Sequence, residues 1–279
     1  LMSMRIVADS CCDVSPEVEK QTGIELVPLT IQIGDKEYRD DKNLDIDGLI
    51  EDMKNSPIAP KTACPSPQDF IESYKGDGSV FVVTLSSALS GTYRSAMMAK
   101  DIFLEEVENK FIHVFDSLSA SVGETLVSLH ISELINKGLK EMEIVEKVNA
   151  YIKDMRTFFT LKSLDNLVKS GRVSHFVAKV SSILSVKPIM AENGEGQIEV
   201  HEKVVGAKRV FKRLVEVIGE QGQNLEDKVL GIAHCNALES ALAFKEEVLK
   251  RYNFKDIVIV RTGGISSVYA NEGGLIIAF

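Results

Sequence analysis

The stretch "LSSALSGTYRSA", residues 85–96, follows the apolar run "SVFVVTL". Four serines, a threonine and a bare glycine thus stand where a strand-like run gives way to a helical pattern. A helix N-terminus carries unpaired N–H groups and a partial positive charge, so it suits an anion. Ser90 is placed to cap such a helix, and Gly91 lets a ligand approach the backbone closely. The chemistry this implies is the seating of an anion. The same residues also fit an ordinary N-cap, and both readings stand at this point. Two further loops repeat the pattern of an apolar strand running into hydroxyls, "ADSCCD" and "FDSLSAS". In an open α/β sheet, ligands bind at the carboxyl ends of the strands, where all three loops would lie.

Signatures of other chemistries are weak. The chain has no G-x-G-x-x-G, no G-x-x-x-x-G-K-[ST] and no G-x-S-x-G. Its five histidines, His113, His130, His175, His201 and His234, are scattered without metal-ligand spacing. No metal site is expected. The cysteines Cys11, Cys12, Cys64 and Cys235 form no C-x-x-C pair, which argues against zinc and against a secreted disulfide framework. Serines and aspartates abound, so a hydrolytic triad stays an alternative, though no nucleophile elbow supports it. The helical carboxylates Glu105, Glu106 and Glu108 read as a solvated face.

The elements that would position these loops alternate. "MRIVADS" reads as a strand and "GIELVPLTIQIG" as one or two more. "SVFVVTL" and "FIHVFDS" follow, each succeeded by a long helical pattern, over 92–107 and 120–137. Strands interleaved with amphipathic helices indicate βαβ units and a parallel sheet. A polar, proline-dotted segment near 35–66 reads as a small excursion with one helix about 46–53. After a third helix, 141–156, the grammar changes. Short helices around "NLVKSGRVS" and "HFVAKVSSIL" precede "SVKPIMAENGEGQIEVHEKV", two strands joined by a glycine-rich turn. A helix, the strand "KVLGIAHC", a helix and the closing strands "DIVIVRTG" and "GGLIIAF" complete the chain. The expected fold is α/β with two domains. Residues 1–156 form a mostly parallel sheet with flanking helices, and residues 157–279 an α+β domain.

The 279 residues are 44% hydrophobic and 26% charged, ordinary for a globular protein with room for a cavity. The net charge is -9, from 32 basic and 41 acidic residues, and no long basic block appears. Nucleic acid and anionic membrane are therefore poor partners. No apolar run reaches transmembrane length and no signal-peptide pattern is found, so neither stable membrane insertion nor secretion is expected. A cytoplasmic, reduced chain is the simplest expectation.

Five motifs in order resemble the DegV family, the fatty-acid-binding subunits of bacterial fatty acid kinase. They are "IVADSCCDVS", "KTACPSPQDF", "LSSALSGTYRSA", "VFDSLSAS" and "LDNLVKSGRVS" with "LSVKPI", and the chain closes on "GGLIIAF". The resemblance spans nearly the whole chain, and "SGTY" behind a strand is its most specific part. It implies a lipid site between the domains: an acyl chain in a tunnel, its carboxylate near the hydroxyl loops. It further implies that a partner kinase, the catalytic subunit, phosphorylates that carboxylate to an acyl-phosphate for phospholipid synthesis. Carried over residue by residue, the carboxylate ligands would be Thr62, Ser90 and Gly91, with Ser10 and Asp13 in support. Arg172 matches an arginine near the pocket rim that would serve the docked partner. Many relatives close with His-x-Gly-Pro-Gly, and Tyr269 stands at the histidine position here. The last ligand would then be Tyr269 or Asn271.

The apolar segment after Arg172 is expected to form tunnel wall through Phe176, Val177, Val180 and Leu184, which also fit plain core. A CH₂ buried from water is worth ~0.8 kcal/mol, so a dozen would supply roughly 10 kcal/mol before ordering costs. The tail can carry the affinity and the head group the orientation. The expected function is a fatty-acid-binding protein with no catalytic activity of its own, no cofactor, and a long-chain fatty acid and a kinase as partners. The alternatives are a hydrolase or transferase using Ser90, or a lipid sensor without a kinase.

Overall fold

The run "SVFVVT" is buried at all six positions, as a parallel strand covered on both faces requires. The structure, a computed structural model, describes residues 3–175, 177, 179 and 185–279. Its first part runs β1 (Met4–Asp9), α1 (Pro16–Thr22), β2 (Glu25–Val27), β3 (Thr30–Ile33), β4 (Lys36–Arg39), α2 (Ile46–Asn55) and β5 (Lys61–Ala63). It continues with α3 (Pro67–Tyr74), β6 (Ser79–Thr84), α4 (Thr92–Glu106), β7 (Ile112–Asp116), α5 (Val122–Asn136) and α6 (Glu141–Asp154). Strands β2-β1-β6-β7 form a parallel sheet in that order. Strands β4-β3-β5 form a small antiparallel sheet. The excursion therefore begins at Thr30, earlier than its polar composition suggests, because β3 pairs with β4 and β5. Helices α1 and α3 were available in the sequence as Ser-Pro starts. Ser15 accepts from Val18 N, and Ser66 with Asp69 closes a capping box.

The second part runs β8 (Thr157–Thr160), α7 (Asp165–Lys169), β9 (Val186–Glu192), β10 (Ile198–Val205), α8 (Ala207–Gln221), β11 (Val229–His234), α9 (Leu238–Leu249), β12 (Asp256–Arg261), α10 (Gly264–Ala270) and β13 (Leu275–Ala278). Its sheet has the order β10-β9-β8-β13-β11-β12, with β11 and β12 the parallel pair. The two closing strands expected from sequence are both present, and α10, which the sequence did not disclose, lies between them. The segment "GISSVYA" carries neither a charge nor a local capping side chain, and its first N–H groups are satisfied from far away in the chain.

Helix α5 joins the two parts. It packs on β1 and β6 on one side and on β11 and β13 on the other. It is buried at every residue from Val122 to Ser128, as a helix between two layers must be. One continuous apolar core accordingly takes in Phe81 and Phe115 of the first sheet and Phe159 and Ile276 of the second. The loops at the carboxyl ends of β1, β6 and β7 are thereby set against the face of β8 and β13. Among the described residues no helix is long and apolar enough to cross a membrane.

Candidate functional site

Between those loops and that sheet face lies a cavity whose empty space, its open mouth included, is about 870 Å³. One wall comes from Cys11, from Leu85, Leu89 and Ser90 after β6, and from residues 118–121 after β7. The facing wall is Thr157 and Phe159 of β8, Leu161 just past its end, and Ile276 of β13. Alternate residues share one face of a strand, so Thr157 and Phe159 open on the cavity together. Ser266 and Tyr269 enter from α10. The lining is mostly apolar, with polar groups gathered in places.

The densest polar group sits beside the Leu161 end. Arg172 Nη1 donates to Tyr269 Oη at 2.9 Å, and Tyr269 Oη pairs with Thr62 Oγ1 at 2.6 Å. Arg172 Nε donates to the Leu89 carbonyl at 2.8 Å, and its guanidinium carbon lies 5.1 Å from the Tyr269 ring centre. The guanidinium can only donate, and the two hydroxyls share one hydrogen bond between them. One O–H of the pair is therefore left to offer to a ligand. Ser90 Oγ pairs with Thr92 Oγ1 at 2.9 Å and accepts from Thr92 N at 3.3 Å, which again leaves one O–H. Arg172 is the one cation among the described lining residues. A fork of donors with two hydroxyls at one end of an apolar cavity has the chemistry to receive a carboxylate.

Buried carboxyls stand behind this surface. Asp13 accepts from Ser121 Oγ at 2.6 Å and from Gly263 N at 2.7 Å. Asp40 accepts from Gly264 N at 2.9 Å and Ile265 N at 3.0 Å, capping α10 across the junction of the two parts. Asp9 accepts from Leu85 N at 2.7 Å and Cys11 N at 2.9 Å, holding the first two loops together. Burial pushes Asp9 up to about 6 and Asp13 up to about 7, outweighing these hydrogen bonds, and pushes Glu124 well above the usual carboxylate range. Asp9, Cys11 and Glu124 are the one trio among the described residues whose ligand-type atoms lie within 4.8 Å of one another. Burial keeps the Cys11 thiol protonated, and a thiol is not a metal ligand until it ionises.

A pH dependence follows. Unfolded, Asp13 loses its proton near its ordinary value of 3.8; folded, it keeps it to about 7. The folded state binds the extra proton in between. The stability this contributes is complete below about 4 and is lost as pH rises towards 7. Asp13→Asn, which cannot ionise, should flatten part of that decline. Chemical denaturation of both proteins at intervals across this range measures it. A decline equally steep in the variant would locate the proton elsewhere.

Of the residues named from sequence, Thr62, Ser90, Arg172 and Tyr269 meet at the cavity. Ser10 and Asp13 lie buried behind it; Ser10 Oγ accepts from Leu29 N at 2.9 Å. Gly91 is exposed, with φ −73, at the start of α4, and a Cβ there would meet Cys64 Sγ at 3.4 Å. Asn271 lines a separate cleft with Lys162 and Lys169 and accepts from Asn166 Nδ2 at 3.4 Å. Val177 is buried in the shared core, while Phe176, Val180 and Leu184 lie outside the described residues. Asp40 and Ser266 escaped sequence reading. The loop residues Leu118 and Ser121 lay within the quoted "FDSLSAS" but were not singled out.

A model of the family described as "Uncharacterised protein, DegV family" matches residues 3–279. A DegV domain-containing protein of Streptococcus pyogenes serotype M18 is 38% identical over 280 residues, covering 100% of this chain and 99% of the relative. A DegV family protein from Ruminococcus gnavus, refined with vaccenic acid, superposes with a TM-score of 0.95 at 40% identity, covering 100% of both chains. The Streptococcus pneumoniae Fatty Acid Kinase (Fak) B3 protein, loaded with linoleic acid, superposes with a TM-score of 0.94 at 35% identity, covering 100% of this chain and 99% of that one.

Proposed function

This chain belongs to the DegV family, and from that premise we propose that it binds a long-chain fatty acid in the cavity between its two sheets. In this reading it presents the carboxylate to a partner fatty acid kinase, which forms the acyl-phosphate. The observation that carries the proposal is the chain Arg172–Tyr269–Thr62 at one end of a mostly apolar cavity. A buried carboxylate is costly unless hydrogen-bonded, and this cluster meets it with a cation and hydroxyls. The vaccenic and linoleic acids bound by the two similar proteins support the same ligand class. The protein works as a cytoplasmic carrier and needs no cofactor to bind its ligand.

Titration with a fluorescent fatty acid, followed by displacement with oleic acid, tests the binding half. Acyl-phosphate formation with a fatty acid kinase and ATP tests the presentation half. Tight binding without acyl-phosphate would leave a lipid sensor. Thr62→Ala and Ser90→Ala should each weaken binding by roughly 1–3 kcal/mol, because a buried carboxylate loses a partner. Affinity unchanged in the double variant would remove both residues from the seat.

Among the described residues nothing beside Ser90 favours a hydrolase. Its oxygen bonds Thr92, and no histidine is among the described lining residues. Release of p-nitrophenol from acyl esters, abolished in Ser90→Ala, would reverse that judgement.

A further inference from the structure

The cavity shares a partition with a second cleft. That cleft lies on the outer side of the loop after β7 and is lined by Tyr93, Asn149 and Ile152, among others. Leu118 and Glu192 line both spaces. The two spaces therefore meet at these residues.

Leu118 is held in an unusual conformation. Its φ is +53, the left-handed region that L-residues other than asparagine and aspartate seldom enter. Asp116 fixes it there, since Asp116 Oδ1 accepts from Leu118 N at 3.2 Å and from Ser87 N at 3.1 Å. The turn between β9 and β10 presses on it from the other domain. Ser86 Oγ donates to Gly196 O at 2.7 Å, and a Cβ on Gly196 would lie 2.1 Å from Ser86 Oγ and 3.3 Å from Leu118 Cα. The backbone of the partition is thus clamped from both sides, and the Leu118 side chain lies half-buried against the shared core.

The partition also stands at the right end of the cavity. β8 pairs with β9 through Phe158 and Ala191, so Glu192 and the turn adjoin the Thr157 end. The carboxylate seat of the fatty-acid reading adjoins the Leu161 end, because Leu161 and Ala270, the neighbour of Tyr269, both crowd Gly274. A tail that starts from Arg172 and runs along β8 meets the partition.

We propose that Leu118 sets the acyl chain length the protein accepts. It stops tails that fit the inner cavity, and by turning aside it passes longer ones into the cleft beside Tyr93 and Ile152. This rests on the fatty-acid reading above. The test is Leu118→Gly, which removes the stop and suits the positive φ. Displacement of a fluorescent fatty acid by myristic, stearic and behenic acids is measured for both proteins. The variant should gain on the order of tenfold for behenic acid over the wild type, with myristic acid unchanged. An identical length profile overturns the proposal and leaves the fatty-acid reading standing. No displacement by any acid in either protein overturns both. Asn149→Cys carrying an environment-sensitive fluorophore locates the tail. In the Leu118→Gly background its emission should respond to behenic and not to myristic acid. A response to neither, or equally to both, overturns the route through the cleft.

Discussion

Arg172→Ala is expected to weaken fatty-acid binding by about 2–5 kcal/mol, the cost of stripping a buried charge of its hydrogen-bonded partner. Three features place the effect in the cavity. The guanidinium lines it, donates to Tyr269 Oη at 2.9 Å, and is tied back to the Leu89 carbonyl at 2.8 Å. Removing it takes away the cation and also frees Tyr269, whose phenol orients Thr62. Arg172→Lys should recover part of the loss, since a lysine restores charge without the planar fork. The resemblance to the family suggests a competing role, docking of the kinase. The two separate cleanly in one pair of measurements. A seat residue loses affinity and turnover together; a docking residue keeps affinity and loses acyl-phosphate formation alone.

Asp40→Ala should lower the stability of the fold by about 2–4 kcal/mol, because two backbone N–H groups at the start of α10 lose their acceptor inside the protein. Asp40 is 7% exposed and bonds both Gly264 N and Ile265 N. For a chain of this size that is a fall of roughly 3–7 °C in the melting temperature. The consequence reaches function, because α10 carries Ser266 and Tyr269 into the cavity. Affinity for fatty acid should fall with it, although Asp40 is not among the residues lining the cavity. Asp40→Asn keeps an acceptor and should sit between the two proteins. A melting temperature unmoved in Asp40→Ala would mean that α10 is seated by its apolar contacts alone.

What the sequence disclosed divides along the same line as these two residues. Strands β1, β6 and β7 and helices α4, α5 and α6 follow from local periodicity, which depends only on neighbours a few positions away. Thr62, Ser90, Arg172 and Tyr269 were named through motif resemblance, and all four meet at one cavity. The direction in which Arg172 points was not legible, because it sits in a loop whose partners are 83 and 97 residues distant. Helix α10 was invisible for a related reason. Its cap, Asp40, lies 224 residues earlier, and its own residues offer neither a charge nor a capping side chain to announce a helix. The left-handed Leu118 left no trace either, since leucine is a poor sign of positive φ. Pairings across the junction of the two sheets are products of tertiary structure, and they are what shape the site.

The central claim is that the cavity holds a long-chain fatty acid by its carboxylate. Denaturing mass spectrometry of an organic extract of the purified protein tests it most directly. The extract should carry a free long-chain fatty acid, close to one per protein, and that acid should be strongly depleted from Arg172→Ala purified in the same way. An extract carrying a different small molecule in stoichiometric amount, or no acyl chain at all from protein exposed to fatty acid, would contradict it.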